Sequence, residues 1–495
     1  MDTKIKKEIS KCDLCHLPPC STVRRDLDVG RMMRALYFDN VDLAASLLPN
    51  HLEGFDLTNV EGVCPEKIDI GRIVREISRL LPKLEGVADM EQIDLSCDLC
   101  GVKLDNPFLL SSSVVASNYE MCARAFEMGW AGACFKTISL IEMHEAAPRF
   151  SAEKFIDGKW YGFKNIEQLS DHSLEENMAC LRMLKEAFPD KVLIASIMGR
   201  NEAEWEYLAK KVTDARADVI ECNFSCPNME EKGTGSDIGE DPDAVKRFTA
   251  AARRGSSLPI LAKMTPNITD MRLPALAAIQ GGADGIAAIN TIKSITGVNI
   301  DTLVALPSVH GHSMLGGYSG AAVKPIALRF ITELAQTEGI IGHHISGMGG
   351  VQTWRDALEF MLLGAGSIQV TTAVMEFGYR IIDDLIAGLK IYMAQRGYTS
   401  VSQFIGTAVS SVVDKDELER DTIVYPKIDR QSCTGCGRCY VSCRDGGHQA
   451  LVFQEGTRMV KLNGRKCVGC LLCALVCPEG AIRQSKRIQK RPQSA

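Results

Sequence analysis

The sequence predicts an α/β fold: a (β/α)8 TIM barrel with a helical extension before it and a small cysteine-rich domain after it. Three observations carry that expectation. Eight short apolar runs alternate with amphipathic stretches between about residues 100 and 395, helical periodicity fills the chain before them, and two dense cysteine runs follow residue 425.

The apolar runs are PFLLSSS (107–113), GACFKT (132–137), VLIASI (192–197), DVIECN (218–223), PILAKM (259–264), DGIAAIN (284–290), HISGMGG (344–350) and SIQVTT (367–372). Runs this continuously apolar suit strands buried on both faces. Eight parallel strands with helices outside close into a barrel, and a doubly wound sheet is the competing arrangement. In a barrel the chemistry gathers at the C-terminal strand ends, where Lys136, Asn223, Lys263, Asn290, Gly349 and Thr371 interrupt the apolar runs.

At 495 residues, 46% hydrophobic and 24% charged, the chain can bury a large core, and its net charge of −6 offers no basic face for nucleic acid. The opening MDTKIKKEISKCD lacks the apolar core of a signal peptide, and no later run reaches the ~18 apolar residues of a membrane span. The expectation is a cytoplasmic protein without membrane contact. In a reducing compartment the 19 cysteines are read as metal or redox chemistry rather than disulfides.

Residues 1–92 form the predicted helical extension. RRDLDVGRMMRALYFDNVDLAASLL (24–48) and EKIDIGRIVREISRLLPKL (66–84) show helical periodicity, and DLDVGRMMRAL resembles KIDIGRIVREI as a weak internal repeat. Cys12, Cys15 and Cys20 make an incomplete C-x2-C-x4-C, with Arg24 where a fourth ligand would stand. Cys64, followed by Pro65, could supply the missing thiolate, but the expectation is a degenerate iron–sulfur-like domain whose cluster was lost. Cys97 and Cys100 are expected to pack. The barrel is assigned to 93–395, a connecting segment to 396–424, the cysteine-rich domain to 425–485 and a tail to 486–495.

Cys433, Cys436, Cys439 and Cys443 form C-x2-C-x2-C-x3-C, and Cys467, Cys470, Cys473 and Cys477 repeat it before Pro478. This is the spacing of two-cluster ferredoxins, in which the fourth cysteine of each run ligates the other cluster. It assigns Cys433, Cys436, Cys439 with Cys477, and Cys467, Cys470, Cys473 with Cys443. Zinc sites, the competing reading, generally use separated C-x2-C pairs. The first run carries Arg444 where proline usually follows the fourth cysteine.

At the barrel mouth, SGMGGV (346–351) and GSIQVTTAV (366–374) supply backbone N–H groups at the usual phosphate site of this fold. Lys136 and Lys263 end two strands, where an ammonium can stabilise charge on a reduced flavin. Asn165, Asn223 and Asn290 each offer a donor and an acceptor to a flat ring with alternating carbonyl and N–H groups. Cys226, in NFSCPN (223–228), follows a strand end on a loop held by Pro227. Each cluster already has four thiolates, so Cys226 is left as a core thiol or a general acid. A thiol near ~8.5 stays mostly protonated at neutral pH yet gives up its proton readily. No G-x-G-x-x-G joins a strand to a helix, so NADH is expected to act only through a partner.

CGVKLDNPF, YGFKNIEQ, VLIASIMG, ADVIECNFSCP, LAKMTPNITDM, GGADGIAAINT, GYSGAAVKPIALRFI and both cysteine runs resemble the dihydroorotate dehydrogenase-like barrels, and among them the flavin-and-ferredoxin subunits of dihydropyrimidine dehydrogenases, over about residues 93–480. The resemblance implies FMN near Ser112, Ser113, Lys136, Lys263, Ser319, Gly320, Gly349, Gly350, Thr371 and Thr372. It implies a pyrimidine held by Asn165, Glu167, Asn223, Phe224, Ser225, Asn290 and Thr291, with Cys226 as the active-site cysteine. The first ~90 residues depart from the bacterial subunit and resemble a worn helical iron–sulfur domain. The implied activity is reduction of the 5,6 double bond of uracil or thymine. Its electrons would come from NADH through an FAD/NAD-binding flavoprotein subunit, two [4Fe-4S] clusters and FMN, in a hetero-oligomer. A dihydroorotate dehydrogenase is one rival, although orotate's carboxylate would call for a basic partner at the pocket. A non-catalytic iron–sulfur electron carrier is another.

Overall fold

The structure, a computed structural model, describes residues 3–23, 26–49, 57–79, 90–155, 158–229 and 233–490. It divides into two compact units, Met1–Ser411 and Val412–Ala495.

In the first unit eight parallel strands close into a barrel in chain order: β1 (Phe108–Leu110), β2 (Gly132–Ile138), β3 (Val192–Ile197), β4 (Val219–Asn223), β5 (Ile260–Lys263), β6 (Gly285–Ala288), β7 (His344–Met348) and β8 (Ser367–Val370). Closure is made by β8 on β1, with Gln369 opposite Leu109. All eight predicted strands are present, and the doubly wound alternative is excluded. β2, β3 and β4 are buried at every position, as strands covered on both faces must be. Several outer helices start where the sequence supplies a cap. Ser173 and Glu176 form a capping box on Leu174–Ala187, and the Asn201 side chain accepts from Glu204 N–H at the start of Glu202–Asp214.

One end of the barrel is plugged by the hairpin Cys97–Leu99 and Val102–Leu104, whose Leu99 and Leu104 join Leu109, Cys134 and Ile194 in one apolar cluster. Cys97 and Cys100 lie against that cluster, the packing role expected of them. A four-stranded antiparallel sheet was not foreseen. It runs Ile292–Ser294, Gly316–Ser319, Trp160–Asn165, Phe150–Lys154, interrupting the βα rhythm between β2 and β3 and between β6 and β7. Its signal was present as the Asp-Gly pair at 157–158 between alternating segments, the strongest short-range mark of a hairpin.

The amino-terminal repeat is a repeat in three dimensions. Helices Val29–Tyr37 and Ile70–Ser78 both start at an aspartate, whose side chain accepts from the backbone N–H three residues on: Asp28 from Arg31, Asp69 from Arg72. They bury matching faces, Val29, Met32, Met33 and Leu36 against Ile70, Ile73, Val74 and Ile77. Arg24 and residues 80–84 of the second helical stretch lie outside the described residues. The helices pack on the last long helix of the same unit, Ile381–Arg396 (Asn40 Nδ2 to Asp384 O, 2.8 Å), and Ile391 joins their core.

The second unit repeats its backbone within itself. Gly435 and Gly469, each just before the second cysteine of its run, have positive φ, as do Gly437 and Leu471 just after it. The helix Arg438–Gly446 runs past Cys443, and its counterpart Leu472–Leu475 stops before Cys477. Arg444 permits that extension because, unlike the Pro478 that follows Cys477, it keeps its backbone N–H. No helix among the described residues is long and apolar enough to cross a membrane.

Candidate active site

The C-terminal strand ends open into a cavity lined by Ser112, Ser113, Lys136, Asn165, Glu167, Asn223, Cys226, Lys263, Asn290, Thr291, Ser319, Gly320, Gly349, Gly350, Thr371 and Thr372. Residues drawn from β1, β2, β4 to β8 and the antiparallel sheet thus meet in one place.

Two buried lysines are held from behind. Lys263 Nζ stands 3.3 Å from Glu221, which is fully buried in the barrel interior. Glu221 in turn accepts from Gln369 Nε2 at 3.3 Å, leaving Gln369 Oε1 buried with no hydrogen-bond partner. Lys136 Nζ lies 3.8 Å from both Glu145 and Glu167, and Glu167 also accepts from Arg149 at 3.2 Å. Burial pushes the Glu167 carboxyl above its ordinary range; Lys136 and Arg149 oppose that shift, and Glu145 adds to it.

The amides form a continuous chain. Asn290 Nδ2 donates to Ser225 Oγ (2.8 Å), Ser225 Oγ to Asn223 Oδ1 (2.8 Å) and Asn223 Nδ2 to Thr137 Oγ1 (2.9 Å). Fixing each amide this way sets which of its atoms can face a ligand. Ser225 therefore acts behind Asn290 rather than on the cavity wall. Phe224, expected at the substrate, is not among the lining residues. It is fully buried with its ring 5.0 Å from Trp205 of the outer helix, because at the strand exit alternate side chains turn to the helical layer.

Cys226 is nearly buried, and burial raises its thiol to about 11, against the opposing backbone N–H of Asn228 and the charge of Lys263. Its loop is fastened twice. Asn228 Nδ2 donates to Asn165 Oδ1 (3.1 Å) and Glu167 O (2.6 Å), and Ser236 N–H donates to Cys226 O (2.9 Å). Gly235, at φ +57, allows the second fastening: a Cβ there would lie 2.3 Å from Cys226 O. Asn228, Thr137 and Gln369 were missed in the sequence, although Asn228 closes the NFSCPN stretch and Gln369 is the polar residue inside an apolar strand.

The cavity suits a flat cofactor with a phosphate. Gly350 (φ +81) leaves room where a Cβ would meet Gly320 O at 2.8 Å and Lys324 N at 2.9 Å, and Thr371 and Thr372 hydroxyls stand nearby, bonded to Ser113 (3.2 Å) and Ser319 (2.8 Å). The unpartnered Gln369 Oε1 and the buried Lys263 cation offer an acceptor and a charge to a ring system above them.

In the second unit, Cys433, Cys436, Cys439 and Cys477 line one small cavity and Cys443, Cys467, Cys470 and Cys473 another, the two crossed sets the spacing predicts. Ala450 N–H donates to Cys443 Sγ and Ala481 N–H to Cys477 Sγ, each at 3.3 Å. Among the described residues no three His, Cys, Asp or Glu side chains gather tightly enough for a single ion. The thiols stand around cavities instead, which suits a cluster and not zinc.

Fold and site define an oxidoreductase barrel shaped for a phosphorylated redox cofactor. The chain belongs to the dihydroorotate dehydrogenase family, whose model matches residues 94–393, and a 4Fe-4S dicluster domain matches 426–484. The family binds FMN, and the residues at the mouth fit it. Over 389 residues the chain is 54% identical to the NAD-dependent dihydropyrimidine dehydrogenase subunit PreA of Escherichia coli (strain K12), covering 79% of this chain and 95% of that one. It is 38% identical to the chloroplastic dihydropyrimidine dehydrogenase (NADP(+)) of Arabidopsis thaliana, over 68% of this chain and 82% of that one. It is 37% identical to the catalytic subunit of dihydroorotate dehydrogenase B (NAD(+)) of Pyrococcus abyssi, over 64% and 99%. The ligand-free DHODH structure from Eimeria tenella shares the fold, with TM-score 0.53 at 21% identity over 63% of this chain and 91% of that one.

Proposed function

We propose that the chain reduces the 5,6 double bond of uracil or thymine as one subunit of a hetero-oligomer. A partner flavoprotein takes electrons from NADH and passes them to two [4Fe-4S] clusters and FMN held by this chain. The observation that carries the choice of substrate is charge balance. Lys136, Lys263 and Arg149 face Glu145, Glu167 and Glu221, so among the described residues the site has no cation to spare for an orotate carboxylate and suits a neutral base. Arg149 is the basic residue nearest that role, and Glu167 neutralises it. A carrier without catalysis would have no use for the fastened Cys226 loop and the amide chain.

FMN would be held by Ser112, Ser113, Lys136, Lys263, Ser319, Gly320, Gly349, Gly350, Thr371 and Thr372, and when bound it supplies hydride chemistry at C6 of the pyrimidine. Asn165, Asn223, Asn290 and Thr291 read the alternating carbonyl and N–H edge of the base, and each correct amide contact excludes a ring with the opposite pattern. Glu167, with its carboxyl raised, borders the same edge. Cys226 donates its Sγ proton to C5 on the face its loop presents, and the resulting thiolate is steadied by the Asn228 N–H. The eight tail cysteines hold the clusters, Cys433, Cys436, Cys439 and Cys477 one, Cys443, Cys467, Cys470 and Cys473 the other.

The missing dinucleotide fingerprint gives the test of the partner. The purified chain is expected to form dihydrouracil from uracil with reduced methyl viologen, and to oxidise NADH only after a flavoprotein subunit is added. Rapid NADH oxidation by the isolated chain would place the nicotinamide site here and contradict the proposal.

A further inference from the structure

We propose that Cys12, Cys15, Cys20 and Cys64 hold a third [4Fe-4S] cluster, in a cavity of the helical extension that the barrel chemistry does not use.

The four cysteines line one cavity of about 660 Å³. Three come from the short run Cys12–Cys20 and the fourth from a distant cysteine followed by proline, Cys64-Pro65. The tail cavity of Cys433, Cys436, Cys439 and Cys477-Pro478 has the same composition. The chain brings the parts together by packing Pro19–Val23 on Thr58–Val63, which places Cys20 beside the helix end at Cys64.

Arg380 fastens the run by donating to Leu14 O and Cys15 O at 2.5 and 3.4 Å, so the loop is held against the barrel's last helix with its sulfurs grouped. All four cysteines are free, and no three of them gather tightly enough for one zinc ion. With Cys64 as fourth ligand, the absence of a cysteine at position 24 does not leave the site incomplete.

The test needs no turnover. The full chain, reconstituted anaerobically with iron and sulfide, is assayed for iron, acid-labile sulfide and zinc per polypeptide, with FMN content as the measure of folding. About twelve irons are expected, four per cluster, falling to about eight in Cys15→Ser/Cys64→Ser with FMN unchanged and staying at about twelve in a Cys97→Ser control. Dithionite-reduced spin counts should fall by about one third in the same double variant. About eight irons in the wild-type chain, with or without one zinc, would overturn the proposal. If the double variant loses FMN, the wild-type count alone decides. Because the count is independent of substrate, it stands or falls separately from the reading of the barrel.

Discussion

Replacing Cys226 by alanine is expected to lower uracil turnover by roughly 10²-fold to 10⁴-fold, the worth of a positioned proton donor, while FMN and iron content stay at wild-type levels. The variant removes only Sγ; the loop keeps its fastenings through Asn228 and Ser236. The pH profile separates this role from packing. With the thiol raised to about 11, Cys226 stays almost wholly protonated up to about pH 9. Reduction therefore loses no proton donor between about pH 7 and 9, whereas an unperturbed thiol near ~8.5 would lose most of it by the upper limit. Rates of dihydrouracil formation across that range, in wild type and Cys226→Ser, check both parts. Wild-type turnover in the alanine variant would return Cys226 to the role of a core thiol.

Removing the carboxylate behind Lys263 is expected to be the most destabilising single change in the barrel. Glu221 is fully buried, 3.3 Å from Lys263 Nζ and bonded to Gln369. Glu221→Ala leaves an ammonium in the interior without its counter-charge, which costs about 3–5 kcal/mol. The double change Glu221→Leu/Lys263→Met removes both charges and should recover most of that loss, since a well-packed apolar pair replaces the ions. Denaturant midpoints of the full chain measure both variants. A loss under about 1 kcal/mol in Glu221→Ala would mean that Lys263 is balanced by something other than Glu221.

The parts legible in the sequence were those with a strict local signature. Eight apolar runs became eight strands because a strand buried on both faces tolerates few polar residues. The two cysteine runs became two crossed thiol sets because ligand spacing is fixed by the cluster they surround. What escaped depends on contacts far apart in sequence. The antiparallel sheet pairs Trp160–Asn165 with Gly316–Ser319, and only that pairing brings Asn165 to the mouth. Thr137 and Asn228 matter because of the partners they reach, Asn223 and Asn165. Phe224 lies off the cavity lining for the complementary reason: its position in a run next to Asn223 says nothing of which layer its ring joins. The four amino-terminal cysteines looked incomplete because their fourth member is separated from the run by three described helices, Val29–Tyr37, Val41–Ser46 and Thr58–Val63, and comes close only through packing.

The central claim is that the site takes a neutral pyrimidine. It is tested most directly by a single-turnover measurement: the purified chain, reduced anaerobically with dithionite and freed of excess reductant, is mixed with uracil, thymine or orotate, and dihydropyrimidine formed per polypeptide is determined. Uracil and thymine should be reduced in amounts stoichiometric with the chain and orotate should yield no dihydroorotate, because Glu145 and Glu167 already neutralise Lys136 and Arg149. Dihydroorotate formed in place of dihydrouracil would contradict it.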